Sequence, residues 1–432
     1  MKDRRRWLVA TFVLIITAIA YIDRVNLSIA APVLTKEFHT NAAVMGLLLS
    51  SFTWTYTLLN LPAGMLVDRI RIRVLYSLAL LVWAVSSLLT TLVRSAGALF
   101  GPRLLLGIGE APFAPAAIRT LADWLPKSER ATGSSMFISG VALGSAVGPP
   151  GLAYLVSGFG WQAAFIATGV LSLLVAAIWY AWYRHPLDDT RLSDRERQLI
   201  LRDQEPPKQD GRARWSEIVR HRDIWAITAG YFCLLYILYT FITWLPSYLV
   251  QDRHMTVLGS GFATSIPWAV AFVCGILGGR LSDLALRRGV STLNARKLVL
   301  VGGMVAALAI IGTALASSAA VAIVCLSVST AGIITANGAV WAATQDIMRA
   351  LNLTGSATGF VNALGNVGGI LGPIVTGAVA YATGSFFAPL ALAAGLALIG
   401  ALAWGIGMRS APRVQVAGPA RANAVVEGGN DR

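Results

Sequence analysis

Apolar runs of about twenty residues recur along nearly the whole chain, and they restrict the fold more than any other feature. An α-helix rises about 1.5 Å per residue, so each run is long enough to cross a hydrocarbon core of roughly 30 Å. Of the 432 residues, 56% are hydrophobic and only 13% are charged. The sequence therefore predicts an all-α membrane protein, because helices satisfy their own backbone hydrogen bonds inside a bilayer.

Twelve such runs are predicted to form transmembrane helices. They begin near Trp7, Ala43, Val74, Leu99, Ala131, Trp161, Ile224, Leu258, Leu298, Ala319, Gly355 and Phe386. One long polar interval separates the sixth run from the seventh, and the polar, Ala- and Gly-rich tail is typical of disorder. The predicted organisation is an N-terminal six-helix half (1–183), a cytoplasmic linker with a short amphipathic helix (184–222), a C-terminal six-helix half (223–408) and a disordered cytoplasmic tail (409–432).

Two short motifs occur once in each half. G-x-L-x-D appears as Gly64–Asp68 and again as Gly279–Asp283, and a glycine-rich run ending in Gly-Pro appears as Gly144–Pro149 and again as Gly368–Pro373. Repeats of this kind indicate two pseudo-symmetric halves, which is how many carriers are built. The glycines of the second motif are predicted to serve close helix packing.

The distribution of basic residues predicts the topology. A net charge of +14 would suit a nucleic-acid partner, but with the N-terminus inside, only Lys36, Arg94 and Arg253 fall in external loops. An excess of Lys and Arg on the cytoplasmic side is the positive-inside pattern. We therefore expect a multi-pass protein of a cell inner membrane with both termini in the cytoplasm, and no nucleic-acid partner.

Four charged residues lie well inside predicted spans: Asp23 and Arg24 in the first, Arg103 and Glu110 in the fourth. A charge at that depth costs a few kcal/mol, so it is expected to face a cavity and carry a function. Neighbours on a helix diverge by about 100°, so Asp23 and Arg24 need partners on other helices. The alternative is a purely structural salt bridge between two helices.

The balance of these charges suggests a mechanism. With both acids ionised the four charges cancel, whereas with both acids protonated the site is cationic and favours an organic anion. Proton binding and anion binding would then strengthen each other, as a symporter requires. Asp23 and Glu110 are therefore predicted to couple protons, and Arg24, assisted by Arg103, to bind the anion.

Helix-breaking residues surround Glu110. Gly107, Gly109, Pro112 and Pro115 all fall within "GIGEAPFAP". Such breaks free backbone groups that protein, water or ligand must satisfy, so they predict a cavity here. A merely kinked helix is the alternative.

Further residues are candidates for binding and gating. Five fall in spans interrupted by polar residues and are predicted to hydrogen-bond substrate hydroxyls or a carboxylate, although aromatic residues are also enriched at membrane interfaces. They are Tyr21, Tyr56, Trp341, Asn362 and Asn366. Four residues of the G-x-L-x-D turns could make or break ion pairs that latch one conformation: Asp68, Arg69, Asp283 and Arg287.

Enzyme chemistry is not indicated. The sequence shows no nucleophile with a base, no metal-ligand spacing and no phosphate-binding loop, so we expect no cofactor and no metal. Its three cysteines, in apolar segments, are expected to be packing residues, and its four histidines, all in loops, are not expected to relay protons: Cys233, Cys274, Cys325, His39, His185, His221 and His254.

Several motifs in order resemble the anion:cation symporter family of the major facilitator superfamily. They are "YIDRVNLSIAAP", "SFTWTYTLLNLPAGMLVDR", "GIGEAPFAPAAIRTLADWLPKSERATGSSMFISG", "LGGRLSDLALRRG" and "GFVNALGNVGGILGPIVTG". The resemblance implies a twelve-helix fold with alternating access and, in bacterial members, proton-coupled uptake of an organic anion. By the same resemblance Arg24 matches the arginine that binds the substrate anion, and Asp23 and Glu110 match the proton-coupling acids. Arg103 matches the arginine of the fourth helix, and Tyr56, Trp341 and Asn362 match cavity-lining positions of sugar-acid carriers.

Three positions depart from the family pattern. Asn60 stands where many members have glutamine, Arg71 where the loop motif usually has glycine, and Val141 where sugar-acid carriers often have a polar residue. A less polar wall at Val141 would suit a less hydroxylated acid.

The sequence thus predicts a proton-coupled symporter, acting as a monomer, that imports a small organic anion such as a sugar acid or another carboxylate. A proton antiporter that exports a drug or metabolite is the alternative within the same architecture. A non-transporting sensor would be expected to carry a signalling domain, which the linker and tail are too short to supply.

Overall fold

The computed structural model describes residues 4–126, 129–201, 215–348 and 354–409. For a few residues inside these ranges, among them Asp68 and residues 276–287, only the backbone is described. Every regular element in the described chain is helical, which confirms the predicted all-α class.

The helices follow the predicted order of spans. The N-terminal half contains α1 (Arg5–Glu37), α2 (Ala42–Arg69), α3 (Ile72–Thr90), α4 (Phe100–Glu110), α5 (Phe113–Trp124), α6 (Arg130–Phe159) and α7 (Trp161–Trp182). The linker contains α8 (Asp194–Leu201) and α9 (Trp215–Arg220). The C-terminal half contains α10 (Arg222–Gln251), α11 (Val257–Arg287), α12 (Thr292–Ala307), α13 (Ile310–Leu315), α14 (Ala319–Met348), α15 (Thr354–Thr383) and α16 (Phe387–Leu402), with a final π-helical turn at Ala403–Gly407.

The helices of the two halves form twelve spans. Eleven segments of the described chain are long and apolar enough to cross a membrane, α12 and α13 together forming one of them. The remaining span is the fourth, which α4 and α5 form in two pieces. The prediction of twelve transmembrane helices in two six-helix halves is therefore confirmed.

The fourth span is interrupted immediately after Glu110. α4 ends at Glu110, and α5 begins at Phe113 with Pro112 as its N-terminal cap. Pro112 has no backbone N–H to donate to the preceding turn, so one hydrogen bond of a continuous helix is missing at this point. The predicted helix break is confirmed, and it places Glu110 at a helix end in the middle of a span.

Two glycines bring this helix end close to its neighbours. A methyl group at Gly107 would overlap the backbone of α2 at Phe52, and one at Gly109 would overlap the backbone of α3 at Trp83. Small residues allow helices to approach this closely in a membrane. The glycines of "GIGE" thus pack Glu110 between α2 and α3.

The repeated glycine-rich motif does the same in both halves. A methyl group at Gly144 of α6 would overlap the Ala18 carbonyl of α1, and one at Gly368 of α15 would overlap the Phe232 carbonyl of α10. The predicted packing role is confirmed. It also relates the two halves, because in each the fifth span packs on the first.

The two halves meet at one end of the bundle. We call the end at which α1 begins, α7 ends and the linker emerges the linker face, and the opposite end the far face. At the far face, Gly46 of α2 lies against the backbone at Pro373 and Gly377 of α15, and Gly261 of α11 lies against Pro149 of α6. Each of these contacts joins one half to the other.

A hydrogen bond adds to this closure. Ser28 Oγ of α1 donates to the Thr243 carbonyl of α10 at 2.7 Å, and both residues are buried. The two halves are therefore in direct contact toward the far face.

The linker is attached to the N-terminal half at the start of α1. Ser193 Oγ accepts a hydrogen bond from the Glu196 backbone N–H at 3.2 Å, so it caps the start of α8. The Glu196 carboxylate accepts hydrogen bonds from the backbone N–H groups of Arg5 and Arg6, and an ion pair from the Arg6 guanidinium at 3.0 Å. The side chain of Glu196 thus caps α1, because a carboxylate satisfies the free N–H groups of a helix start.

The predicted gating residues are described only in part. Arg69 is exposed at the end of α2. The side chains of Asp68, Asp283 and Arg287 lie outside the described residues. Their proposed ion pairs therefore stay a prediction.

Candidate functional site

An ion pair between the first and fourth spans forms the centre of the site. Arg24 Nε donates to Glu110 Oε2 at 2.7 Å. The Arg24 side chain is 7% exposed and that of Glu110 is fully buried. The other carboxylate oxygen, Glu110 Oε1, is buried without a hydrogen-bond partner. The pair thus holds one strong contact and one unused acceptor.

Aromatic rings enclose the Arg24 guanidinium. Its Cζ lies 4.7 Å from the ring centre of Tyr21, 5.0 Å from that of Phe52 and 5.1 Å from that of Tyr56. Phe52 and Tyr56, one turn apart on α2, stack with ring centres 5.5 Å apart. Cation–π contacts of this kind hold a guanidinium in place without neutralising its charge.

Arg103 is a second buried cation beside this pair. It is 3% exposed, and its Cζ lies 5.6 Å from the ring centre of Phe52. Its Nε atom is buried without a hydrogen-bond partner, and no described residue forms an ion pair with it. A guanidinium carries five N–H donors, so Arg103 retains unused donors for an anion.

Asp23 turns to a different set of neighbours. It is 2% exposed, and it accepts hydrogen bonds from the Trp83 indole N–H, from Ser87 Oγ at 3.2 Å and from Ser172 Oγ at 3.4 Å. These donors belong to α3 and α7. Asp23 and Arg24 therefore point to different helices, as predicted for neighbours on one helix.

Electrostatic interactions nevertheless connect Glu110 and Arg103 with the other charges of the site. Glu110 lies close enough to Arg24, Asp23 and Arg103 to interact electrostatically with each of them. Only Arg24 and Glu110 make direct contact among the four. The structure thus brings the predicted quartet together, with one closed pair, one free cation and one acid held by neutral donors.

The C-terminal half adds an aromatic wall. Tyr239 of α10 lies within electrostatic range of Arg24 and Glu110, and Tyr231 lies within range of Tyr239 and Tyr21. Trp341 of α14 contacts Tyr231 edge to face, with ring centres 5.1 Å apart. A row of rings therefore runs from the Arg24 pair into the other half.

The two predicted amides lie on α15. Asn366 Nδ2 donates to Asn362 Oδ1 at 3.1 Å and to the Asn362 carbonyl at 2.8 Å. Asn366 is buried, whereas Asn362 is half-buried. In the described structure these amides contact each other and do not contact the Arg24 pair.

Sequence reasoning missed several members of this site. Phe52 had a usable signal, because it lies one helical turn before Tyr56. Trp83, Ser87 and Ser172 had none, because nothing in a single sequence shows that α3 and α7 face Asp23. Tyr239 is one of several aromatic residues on α10 and is distinguished only by the fold.

Comparisons with known proteins agree with this architecture. The sequence profile of the Major Facilitator Superfamily matches residues 13–373. A probable galactarate/D-glucarate transporter of Bacillus subtilis is 32% identical over 402 residues, covering 89% of this chain and 88% of the relative. A D-galactonate transporter of Escherichia coli is 33% identical over 417 residues, covering 93% and 95%. A hexuronate transporter of Bacillus subtilis is 30% identical over 400 residues, covering 91% and 93%.

A solved structure shares the fold. It is a bacterial homolog of the human lysosomal transporter Spinster, in an inward-facing and occupied conformation, with a TM-score of 0.75 and 20% sequence identity. The superposition covers 94% of this chain and 97% of the other. With twelve spans in two repeated halves, and a family match over most of its length, this chain is a membrane transporter of the Major Facilitator Superfamily, and not an enzyme.

Proposed function

We propose that this protein is a proton-coupled symporter that imports a small organic anion. The observation that carries the proposal is the buried Arg24–Glu110 pair, 2.7 Å apart and enclosed by aromatic rings. A substrate carboxylate and the Glu110 carboxylate would compete for the same guanidinium. Only one of them can hold its charge there at a time.

This competition links the proton to the anion. Protonation of Glu110 removes the charge that neutralises Arg24, and the guanidinium then accepts a substrate carboxylate. Conversely, an anion bound at Arg24 leaves Glu110 buried without its cation, and a buried unpaired charge is expensive, so the acid takes a proton. Each ligand favours the other by the same factor, as linkage requires.

The remaining charges extend this scheme. Arg103, whose Nε has no described partner, provides donors for a second oxygen of the same carboxylate or for another polar group of the substrate. Asp23 provides a second site for a proton. The rings of Tyr21, Tyr56 and Trp341 and the amides of Asn362 and Asn366 form the wall that selects among acids.

The substrate class follows from the cations and the relatives. Two buried arginines favour a carboxylate, and the relatives above are transporters of galactarate or glucarate, galactonate and hexuronate. We therefore propose a sugar acid or a related small carboxylate. Val141 is half-buried on α6. An apolar residue at this position would also suit a carboxylate with fewer hydroxyl groups.

Alternating access supplies the route. If both termini lie in the cytoplasm of a cell with an inner membrane, the packed far face closes the external side, as an inward-facing state requires. Opening to the outside would separate Gly46 from Gly377 and break the Ser28 hydrogen bond to Thr243. Asp68, Arg69, Asp283 and Arg287 are proposed to latch the linker face in that state, and we propose that a single chain suffices.

Reconstitution in liposomes tests the proposal. We expect an inward proton gradient to drive accumulation of radiolabelled D-galactonate, D-glucarate, galactarate or a hexuronate, with protons entering alongside, as reported by a pH-sensitive dye trapped inside. The exporter alternative predicts protons moving opposite to the substrate. Opposed fluxes, or no proton flux with substrate uptake, would reject the symporter.

A further inference from the structure

Asp23 has surroundings unlike those of the other acid in the site. Its Oδ2 atom accepts from the Trp83 indole N–H and from Ser172 Oγ, and its Oδ1 atom accepts from Ser87 Oγ. All three donors are neutral and buried. Thr168 of α7, which is also buried, lies close enough to hydrogen-bond to this carboxylate. No described cation lies within ion-pair distance of Asp23, so its direct polar contacts are all neutral.

The three donors differ in what they can do when Asp23 takes a proton. An indole N–H only donates, whereas a serine hydroxyl donates or accepts. Trp83 must therefore face an oxygen that carries no proton, whether the acid is charged or neutral. Ser87 can turn its hydroxyl and accept from a protonated Asp23, while donating to a backbone carbonyl one turn earlier, as serines in helices do.

The position of Trp83 is fixed by packing. Its side chain is 1% exposed, and its ring meets that of Phe113 edge to face with centres 6.3 Å apart. The α4 backbone at Gly109 lies directly against the α3 backbone at Trp83. The indole N–H therefore has little freedom to leave Oδ2.

We propose that Trp83 is a positioning residue that reserves Oδ2 of Asp23 as the permanent acceptor and directs the coupling proton to Oδ1, where Ser87 accepts it. The inference rests on the proposed function only in calling this proton a coupling proton. The assignment of the proton to one oxygen is a property of the protein alone.

The charged groups near Asp23 lie on its own helix and on α4. Arg24 directly follows Asp23 on α1 and is paired with Glu110. Arg103 and Glu110 of α4 lie within electrostatic range of Asp23. From α3 and α7, the groups that contact Asp23 are uncharged: Trp83, Ser87, Thr168 and Ser172. Removing one of these donors therefore changes hydrogen bonding without changing the net charge of the site.

Infrared difference titration of the purified full-length protein, without substrate, tests the proposal. The carbonyl stretch of protonated Asp23 is identified as the band lost in Asp23→Asn. In Trp83→Phe we expect that band to appear at higher pH by about one pH unit, because a hydrogen bond to an ion is stronger than one to the neutral acid. The stretch itself should move to higher frequency, because the carbonyl oxygen loses its shorter hydrogen bond and keeps only the 3.4 Å contact from Ser172.

Serine variants test the other oxygen. Ser87→Ala should also move the midpoint to higher pH, but the carbonyl frequency should stay near the wild-type value, since Trp83 still donates to Oδ2. Ser87→Thr keeps the hydroxyl and should restore the wild-type midpoint. Trp179→Phe is the matched control, because Trp179 is equally buried in the same half and its indole N–H has no described partner; it should change neither quantity.

Three results would overturn the proposal. The first is an unchanged band in Trp83→Phe when size-exclusion chromatography shows intact folding. The second is a carbonyl frequency shift in Ser87→Ala but not in Trp83→Phe. The third is the absence of any titrating band that depends on Asp23. None of these depends on transport. If liposomes show no proton-coupled flux while the band behaves as expected, the proposed function fails and the assignment of the proton stands.

Discussion

Arg24 in the middle of α1 binds Glu110 at the last residue of α4, so the buried ion pair closes on a helix end. The carboxylate is therefore attached at a point where the backbone is already interrupted, and it can leave Arg24 without deforming a continuous helix. Its second oxygen, Oε1, has no described partner. This arrangement suits the proposed opening of the pair, which a purely structural salt bridge would not require.

Glu110→Gln should separate proton coupling from anion binding. The neutral amide mimics the protonated acid, so Arg24 stays available and exchange of labelled for unlabelled substrate across liposomes should persist at every pH. Accumulation driven by an acid gradient should be lost, because no proton is bound and released at this position. Counterflow and gradient-driven uptake of the same liposomes measure the two properties.

The control for this variant is Glu37→Gln. Glu37 lies at the far face, and its carboxylate accepts a hydrogen bond from the Trp161 indole at 2.7 Å, which a glutamine oxygen can still accept. We expect wild-type accumulation from it. Gradient-driven accumulation that survives in Glu110→Gln would remove Glu110 from the coupling scheme.

Arg24→Ala should abolish anion uptake while leaving membrane insertion intact. The change also leaves Glu110 buried without its cation, and breaking a buried pair in this way costs about 3 to 5 kcal/mol if the charge persists. The double variant Arg24→Ala/Glu110→Gln should therefore have a higher thermal unfolding midpoint than Arg24→Ala alone, although neither transports. Arg94→Ala, in an exposed far-face loop, serves as the control with normal uptake; transport by Arg24→Ala would contradict the assignment.

Most of the fold could be predicted because a bilayer leaves few choices. A polar backbone group inside lipid must be paired within its own helix, so each apolar run of sufficient length became a span. The G-x-x-x-G-P repeat correctly indicated helix packing at Gly144 and Gly368. The break after Glu110 was also visible, because Gly107, Gly109, Pro112 and Pro115 concentrate helix-weakening residues around it.

The contacts of the site could be predicted only in part. The cost of burying a charge marked Asp23 and Glu110 as candidate functional residues from sequence alone. It did not show that Glu110 pairs with Arg24 or that Asp23 contacts Trp83. That choice depends on how α3 and α7 are rotated about their axes. Their serine and tryptophan side chains are uncharged, so the sequence does not show which of them face Asp23. Likewise, nothing in the sequence of α8 shows that Glu196 reaches the start of α1.

Gly46→Leu should favour opening at the far face. A side chain at Gly46 would overlap the Pro373 carbonyl and crowd Gly377, and a backbone contact cannot move aside as a flexible side chain does. We expect a cysteine placed at Ser28, now buried, to react faster with a membrane-impermeant thiol reagent from the far side, in a background lacking the native cysteines. Transport should fall at the same time, because the far face no longer closes.

The matched control for Gly46→Leu is Gly395→Leu. Gly395 lies on α16, and a Cβ there would meet no described atom within 4 Å. It should leave labelling and transport at wild-type levels. Equal labelling of the Ser28 cysteine in wild-type and Gly46→Leu backgrounds would show that the packing of α2 on α15 does not hold the far face closed.

Asp189 joins the linker to the N-terminal half through Arg5. Its contribution to the stability of the folded protein should depend on pH. Its carboxylate accepts from Arg5 Nε at 2.7 Å and from Arg191 Nε at 2.8 Å. Burial alone would raise the pKa of Asp189, but the hydrogen bonds from Arg191 and Arg5 outweigh it and hold the pKa below its ordinary value. The charged form is thus bound more tightly in the folded protein than in the unfolded chain.

A pKa that is lower in the folded state stabilises the protein above the pKa of the unfolded chain, about 3.9, and that stabilisation is lost as the pH falls through the folded value. Asp189→Asn should therefore lower the thermal unfolding midpoint by a few degrees at neutral pH, and the difference from wild type should shrink as the pH drops below about 4. Asp188→Asn, at the exposed neighbouring position, should have no effect at either pH. A deficit in Asp189→Asn that stays constant down to the acid limit would show that the contacts to Arg5 and Arg191 stabilise the linker through packing and not through charge.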